Sequence, residues 1–416
     1  MVQISRRKVL HLMGASVAAS ALSAPMYARA QSAPYKMGFV GALSGPAEAL
    51  GRPMLFGTQL AVDEINASGG INGRSIELHV RDSKGKPDTG TVMARELVGE
   101  GCNMLLGCVS SSVALAINGI LKQENATLIT AAAHSLRLTH EDFNPHYFRV
   151  TDNPYMRQRA QAKLMAELYP DVTSWGGLIP DHEYGRSTWE SYQHGLNTFY
   201  PELADVQPTI SDPILTQYGG SDYRNYIASA LRDPAVGFFS SLYGGDAISL
   251  YQQAKPYGFF QKKAPFVDSA NEFIPARAMK QELPEMWVGS HWYFGAFEGN
   301  EISDRLYKKY SEETGNKHPD GFVSEGHATV MAYAGALAKA PEGTTEDVIS
   351  ALEGLTFETA TGSRTLRAED HQAIKPVIIY RLRGADNDVG FEVMEYRVID
   401  GAETIEDATP GQPVNW

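Results

Sequence analysis

Ser110-Ser111-Ser112 is the place in this chain where residue type and setting first suggest chemistry. The apolar run Met104–Cys108 before it reads as a strand, and Ser112 to Glu124 behind it reads as a helix. Serine hydroxyls together with the free N–H groups of a helix start make a carboxylate cradle. The same serines also serve as a plain N-cap with no ligand, and the residues alone leave both readings open. Ala131-Ala132-Ala133-His134 ends the next strand, Thr127–Ala131. His134 could donate a hydrogen bond to a carboxylate, stack on a ring, or face solvent from a loop. Ser111 with His134 is the one nucleophile-and-base pair that a hydrolase could use.

Other groupings are weaker. Asp181-His182-Glu183 has metal-capable side chains, but adjacent residues rarely converge on one ion, so a solvated loop is expected there and no metal site. Asp370-His371 lines a cleft or caps a turn. No G-x-x-x-x-G-K loop, G-x-S-x-G elbow or H-E-x-x-H helix occurs, so neither catalytic residues nor a cofactor are expected. The two cysteines, Cys102 and Cys108, flank a buried strand. Six strand residues span roughly 20 Å, and a disulfide needs Cα atoms about 4.4–6.8 Å apart. Two free, buried thiols follow.

The elements that position these residues alternate. Strands at Tyr35–Val40, Ser75–Arg81, Met104–Cys108 and Thr127–Ala131 are separated by helices at Gly51–Asn66, Thr89–Gly99 and Ser112–Glu124. In the first helix Leu55, Thr58, Val62 and Ile65 recur at helical spacing. The pattern restarts after Asn153 with strands at Ser174–Ile179, Val236–Leu242, Pro265–Asp268 and Met286–Trp292 among helices. Helices near Glu301–Thr314 and Val323–Ala340 follow, then a hairpin of Val377–Arg383 and Phe391–Val398. Such alternation indicates an α/β fold of two doubly wound parallel-sheet lobes.

The first thirty residues read as an address. Arg6-Arg7 precede a short apolar run from Leu12 to Leu22, which ends at Ala28-Arg29-Ala30. That is the form of a cleaved export signal, and its apolar stretch is short of the about 20 residues a bilayer needs. The paired arginines resemble a twin-arginine signal; an ordinary secretory signal is the alternative. Cleavage near Ala30 and a periplasmic location are expected. The whole chain carries a net charge of −13, and residues 1–30 hold four of its bases and none of its acids. Nucleic acid is thereby disfavoured as a partner, since phosphate contacts rely on Lys and Arg.

Gly41-Ala42-Leu43-Ser44-Gly45-Pro46, followed by Asp63-Glu64-Ile65-Asn66-Ala67-Ser68-Gly69-Gly70-Ile71-Asn72-Gly73, closely resembles the type I periplasmic binding proteins of branched-chain amino-acid ABC transporters. Gly107 to Ser112, Tyr184-Gly185, and Gly258 after the Tyr243 helix extend the resemblance over the mature chain. It implies lobes joined by a three-crossover hinge, with residues 31–151 and 291–360 in the first and residues 152–290 and 361–416 in the second. It implies a small ligand held between them, a carboxylate, amino acid or amide, passed to an ABC permease in the inner membrane by a monomeric receptor. A periplasmic sensor is the alternative.

The resemblance also assigns residues. A carboxylate-binding serine falls at Ser111, flanked by Ser110 and Ser112. Backbone contact falls at Ala132, beside Ala133. Aromatic contacts fall at Tyr184, Tyr243 and Phe322, and Leu50 stands where the family has an aromatic. His134 departs from a family hydroxyl residue. The acid that pairs with a ligand ammonium falls in Asp268-Ser269-Ala270-Asn271-Glu272. Ala270 is the ungapped match, and Asp268 or Glu272 fills the role only after a shift. The expected ligand is therefore a small carboxylate or amide, aromatic ones included, that need not carry an amine.

Overall fold

The structure is a computed structural model and describes residues 33–416. The leader expected over residues 1–30 and its cleavage near Ala30 lie outside the described residues.

Five short strands, β1 (Tyr35–Gly41), β2 (Ile76–Asp82), β3 (Met104–Gly107), β4 (Thr127–Thr130) and β5 (Tyr147–Arg149), form a parallel sheet in the order β2-β1-β3-β4-β5. The helices α1 (Glu48–Ala67), α2 (Pro87–Gly99) and α3 (Ser111–Asn118) connect its early strands. β3 and β4 are buried at every residue, which is why they read as unbroken apolar runs rather than alternating ones. Cys102 and Cys108 are free and buried, as expected. Helix α3 stops at Asn118, short of the expected Glu124. Gly119 follows it, and Asn118 turns its side-chain amide to Asp142 O (2.8 Å).

The chain then builds a second sheet. Its parts in order are α4 (Pro154–Leu168), β6 (Ser174–Pro180), α5 (Glu183–Ala204), β7 (Thr209–Ile210), β8 (Ile214–Thr216), α6 (Arg224–Arg232), β9 (Gly237–Ser240), α7 (Gly245–Ala254), α8 (Phe259–Lys262), β10 (Phe266–Asp268), α9 (Ile274–Met279) and β11 (Met286–Ser290). The helices α10 (Glu301–Thr314), α11 (Phe322–Lys339) and α12 (Thr345–Leu352) follow. Of these, α11 returns to the first sheet, where Tyr333 donates its hydroxyl hydrogen to Leu105 O of β3 (2.7 Å). A small antiparallel sheet, β12 (Thr356–Thr359), β13 (Gly362–Leu366) and β14 (Ala373–Ile374), comes next. The hairpin of β15 (Val377–Gly384) and β16 (Phe391–Ile399) closes the second sheet, antiparallel against β11. The sheets and their helices make two α/β lobes.

Helix α1 buries Leu50, Met54, Thr58, Ala61 and Val62, while Leu55 and Ile65 are only partly covered. Of the four expected positions Thr58 and Val62 are buried, and the stripe is rotated toward Leu50, Met54 and Ala61 and away from Leu55 and Ile65. Close crossing of α1 and α11 explains the shift. A Cβ on Gly57 would stand 1.8 Å from Val323 O, and one on Gly326 would stand 2.0 Å from Met54 O. Only the absence of side chains lets the two backbones approach so closely.

Candidate functional site

At the carboxyl end of β3 the chain must turn sharply. Gly107 has φ +117°, and a Cβ there would meet Val40 O at 2.6 Å. This turn brings Ser110 to the N-cap of α3 and Ser111 to its first turn. Ser111 Oγ accepts the backbone N–H groups of His134 and Ser135, both at 3.1 Å. A hydroxyl has two acceptor sites and one hydrogen. With both acceptor sites filled, the Ser111 hydroxyl is left able to donate. It sits beside first-turn N–H groups that have no intrahelical acceptor.

A pocket with about 350 Å³ of space between its atoms, part of it open to solvent, lies here, where the carboxyl ends of both sheets face each other. Of the residues singled out from sequence, Leu50, Ser110, Ser111, Ala132, His134, Tyr184, Tyr243 and Phe322 line it. Ser112, Ala133 and Asp268 do not. Val109, Ala270 and His291 complete the wall. His134 is buried, not a solvent-facing loop residue. Tyr184 is placed by its hydroxyl, 2.8 Å from Ser269 Oγ, which also accepts Gln158 Nε2–H at 2.9 Å. Burial pushes the Tyr184 phenol up to about 12. Tyr243 packs edge-on to Tyr184 and lies 3.4 Å from His182 Nε2.

Neither acid of the 268–272 loop enters the pocket. The Asp268 carboxylate is wrapped by its own turn, accepting N–H of Ala270 (3.0 Å) and Asn271 (2.8 Å) and the Tyr251 hydroxyl. Burial pushes it up to about 6. Glu272 Oε1 accepts His291 N–H at 2.9 Å and lies 2.7 Å from His291 Nδ1, and Oε2 accepts Gly321 N–H. Ala270 alone presents to the cavity. The wall therefore holds donors and rings but no carboxylate.

His134, Asp152 and His291 bring ring nitrogens and a carboxylate oxygen within 4.8 Å of one another. The group does not suit a cation. Asp152 is already paired with Arg157 (2.7 and 2.6 Å) and Lys375 (3.2 Å). Burial, with the Arg157 charge adding to it, holds both imidazoles well below their usual range. Ser111 and His134 are not joined side chain to side chain, so the nucleophile-and-base pair that a hydrolase needs is not assembled. His182 does not converge with its neighbours: Asp181 pairs with Arg186, and Glu183 takes the Ser135 hydroxyl at 2.6 Å. Asp370 pairs with Arg367, and His371 stacks on Phe148 at 3.9 Å, so both serve the turn and not the pocket.

Residues 34–388 match the family model described as periplasmic binding protein. The chain belongs to this family of binding proteins. A leucine-, isoleucine-, valine-, threonine- and alanine-binding protein of Pseudomonas aeruginosa is 26% identical over 79% of this chain and 84% of its own. A protein of the same description from Brucella ovis, in a closed conformation, superposes with a TM-score of 0.75 at 20% identity, over 91% of this chain and all of its own. A solute-binding protein of an ABC transporter from R. palustris, in complex with benzoate, also has a TM-score of 0.75, at 15% identity over 91% of this chain and 99% of its own. These are binding proteins and not enzymes. Among the described residues, no helix is long and apolar enough to cross a membrane.

Val109 and His291 line the pocket but were not assigned to the site from sequence; of the two, His291 brings a titratable ring. It was legible only as part of a crossing strand, and nothing in Ser290-His291-Trp292 signals that the ring turns back to meet His134.

Proposed function

We propose that this protein captures a small carboxylate lacking an ammonium group, an aromatic acid above all, and delivers it to an ABC permease in the inner membrane. The observation that carries this reading is the wall itself. Ser111 offers a hydroxyl that can donate, beside a helix N-terminus suited to an anion. Ala270, the position matching the family's acid, offers a methyl group, and no carboxylate is available to an ammonium. Tyr184, Tyr243 and Phe322 supply flat apolar surface. The benzoate complex of the R. palustris protein makes an aromatic acid a reasonable occupant for this fold.

Closure of the two lobes is the mechanism, because a ligand touching both stabilises the closed state. We set the lobes at residues 33–151 with 291–374, and residues 152–290 with 375–416; the last crossing falls later than the expected 361, because β13 pairs with β12 and β14 with β13, burying Leu366 and Ala373 in the first lobe's core. Supporting this division, α11 packs on α1, whereas β15 and β16 extend the second sheet. The receptor works as a monomer in the periplasm after losing its leader.

A thermal-shift panel of benzoate, hydroxybenzoates, short aliphatic acids, amides and branched-chain amino acids tests the proposal. Ligand that binds only the folded state raises the midpoint by mass action. The aromatic acids are expected to raise it. Stabilisation by leucine or valine with no response to amine-free acids would refute the reading.

A further inference from the structure

Running from the pocket wall into the interior, three titratable side chains, His134, His291 and Glu272, are strung end to end. Glu272 Oε1 is 2.7 Å from His291 Nδ1, and His291 Nε2 is 3.3 Å from His134 Nε2. His134 Nδ1, at the far end, is buried and has no protein partner, in a ring that lines the cavity. All three residues are 1% exposed. We propose that this chain is a proton relay which sets the hydrogen-bonding sense of His134, so that the pocket accepts a carboxylate with Glu272 protonated and rejects it with Glu272 ionised. The inference rests on the carboxylate reading above and adds the residues that decide it.

A neutral imidazole has one N–H and one bare nitrogen, so each ring passes its neighbour's choice along. With Glu272 protonated, its O–H donates to His291 Nδ1. His291 Nε2–H then donates to His134 Nε2, and His134 Nδ1–H is a donor for the ligand. Loss of one proton reverses each link. The Glu272 proton moves to His291 Nδ1, the Nε2 proton of His291 moves to His134, and the Nδ1 proton of His134 leaves. Both rings remain neutral, Glu272 becomes a carboxylate, and His134 Nδ1 becomes an acceptor, which repels an anionic oxygen.

The surroundings of Glu272 favour the protonated arrangement. Its other neighbours are Asp320, itself paired with Arg277 on α9, Arg157 on α4 and Tyr380 on β15. The nearby cations are already committed, Arg277 to Asp320 and Arg157 to Asp152. Asp152, Lys375 and Arg149 face the imidazoles; burial and the cations hold the rings uncharged against the opposing pull of Asp152. Burial, with the Asp320 carboxylate beside it, pushes Glu272 up to about 8. A ligand carboxylate arriving nearby disfavours its ionisation further.

Two measurements separate this relay from the ligand reading. In the ligand-free protein, nitrogen-15 spectra of the histidines are expected to show protons on His134 Nδ1 and His291 Nε2 near pH 7. Both should move to the opposite nitrogen above pH 8. Tautomers that stay fixed across pH 7–9, or a ring that titrates as a cation there, would overturn the relay whatever the ligand. Calorimetry with benzoate is expected to show proton uptake at pH 9 and affinity falling about tenfold per pH unit above pH 8, as one linked proton requires. Glu272→Gln, whose amide can donate to His291 Nδ1, should flatten that dependence. Tight binding that is flat across pH 7–9 in the wild-type protein counts against the relay. Absence of benzoate binding counts against the ligand reading, and the histidine spectra still decide the relay.

Discussion

Ser111 Oγ and the backbone nitrogen of His134 stand 3.1 Å apart, and this contact joins the start of α3 to the loop after β4. Because the oxygen also accepts Ser135 N–H, its hydrogen is directed by elimination toward an acceptor outside the loop. Ser111→Ala removes a hydrogen bond to a charged group, about 1.5–3 kcal/mol, or about ten- to a hundredfold in affinity. Titration of a bound aromatic acid reads this loss. An unchanged dissociation constant would mean the carboxylate lies elsewhere.

Ala270→Glu places an acid where the wall now has a methyl group. Benzoate should be repelled and amino acids should gain, since the new carboxylate can pair with an ammonium. Binding constants of wild type and variant for benzoate and for leucine check the reversal. A variant that still prefers benzoate would show that position 270 does not set the selectivity.

Pro46 lies against the start of α7, across the cleft between the lobes. Gly245 N–H donates to Pro46 O at 3.2 Å, and a Cβ on Gly244 would approach that oxygen to 2.3 Å. Gly244→Ala should therefore hold the lobes apart and weaken ligand binding. Its φ of +60° adds a modest local cost, since a side chain there is strained. Small-angle scattering with saturating ligand is expected to show the variant more extended than wild type. Equal compaction of both would contradict the role of this contact.

Charges at the junction are buried and matched. Lys375 reaches Asp152, Glu325 and the carbonyl of His291, and Arg364 holds Glu325 (2.6 and 2.9 Å) and Val150 O (2.8 Å). Asp152→Ala leaves Arg157 and Lys375 short of an anion in the interior. A loss of about 3–5 kcal/mol is expected in urea unfolding. A loss under about 1 kcal/mol would show the network to be dispensable.

The alternation of strands and helices and the approximate bounds of most of them were legible because periodicity reports burial directly. Less legible were elements whose cause is tertiary. Thr356–Thr359 and Gly362–Leu366 are short and polar and become strands by pairing with each other. The buried stripe of α1 follows its crossing with α11 at Gly57 and Gly326, which no local pattern in α1 encodes. Ser110 and Ser111 were legible because strand end, serine and helix start lie together in sequence. The fates of Asp268 and Glu272 were not, since each depends on a distant partner, Tyr251 in one case and His291 and Gly321 in the other. His291 was hidden for the same reason: its neighbour in space, His134, is 157 residues away.

Calorimetric titration of the mature wild-type protein at pH 7, with benzoate in one cell and leucine in the other, tests the central claim most directly. The account predicts saturable heat with benzoate and none with leucine. Saturable heat with leucine and none with benzoate would contradict it, because an ammonium would then have found a partner that this wall does not contain.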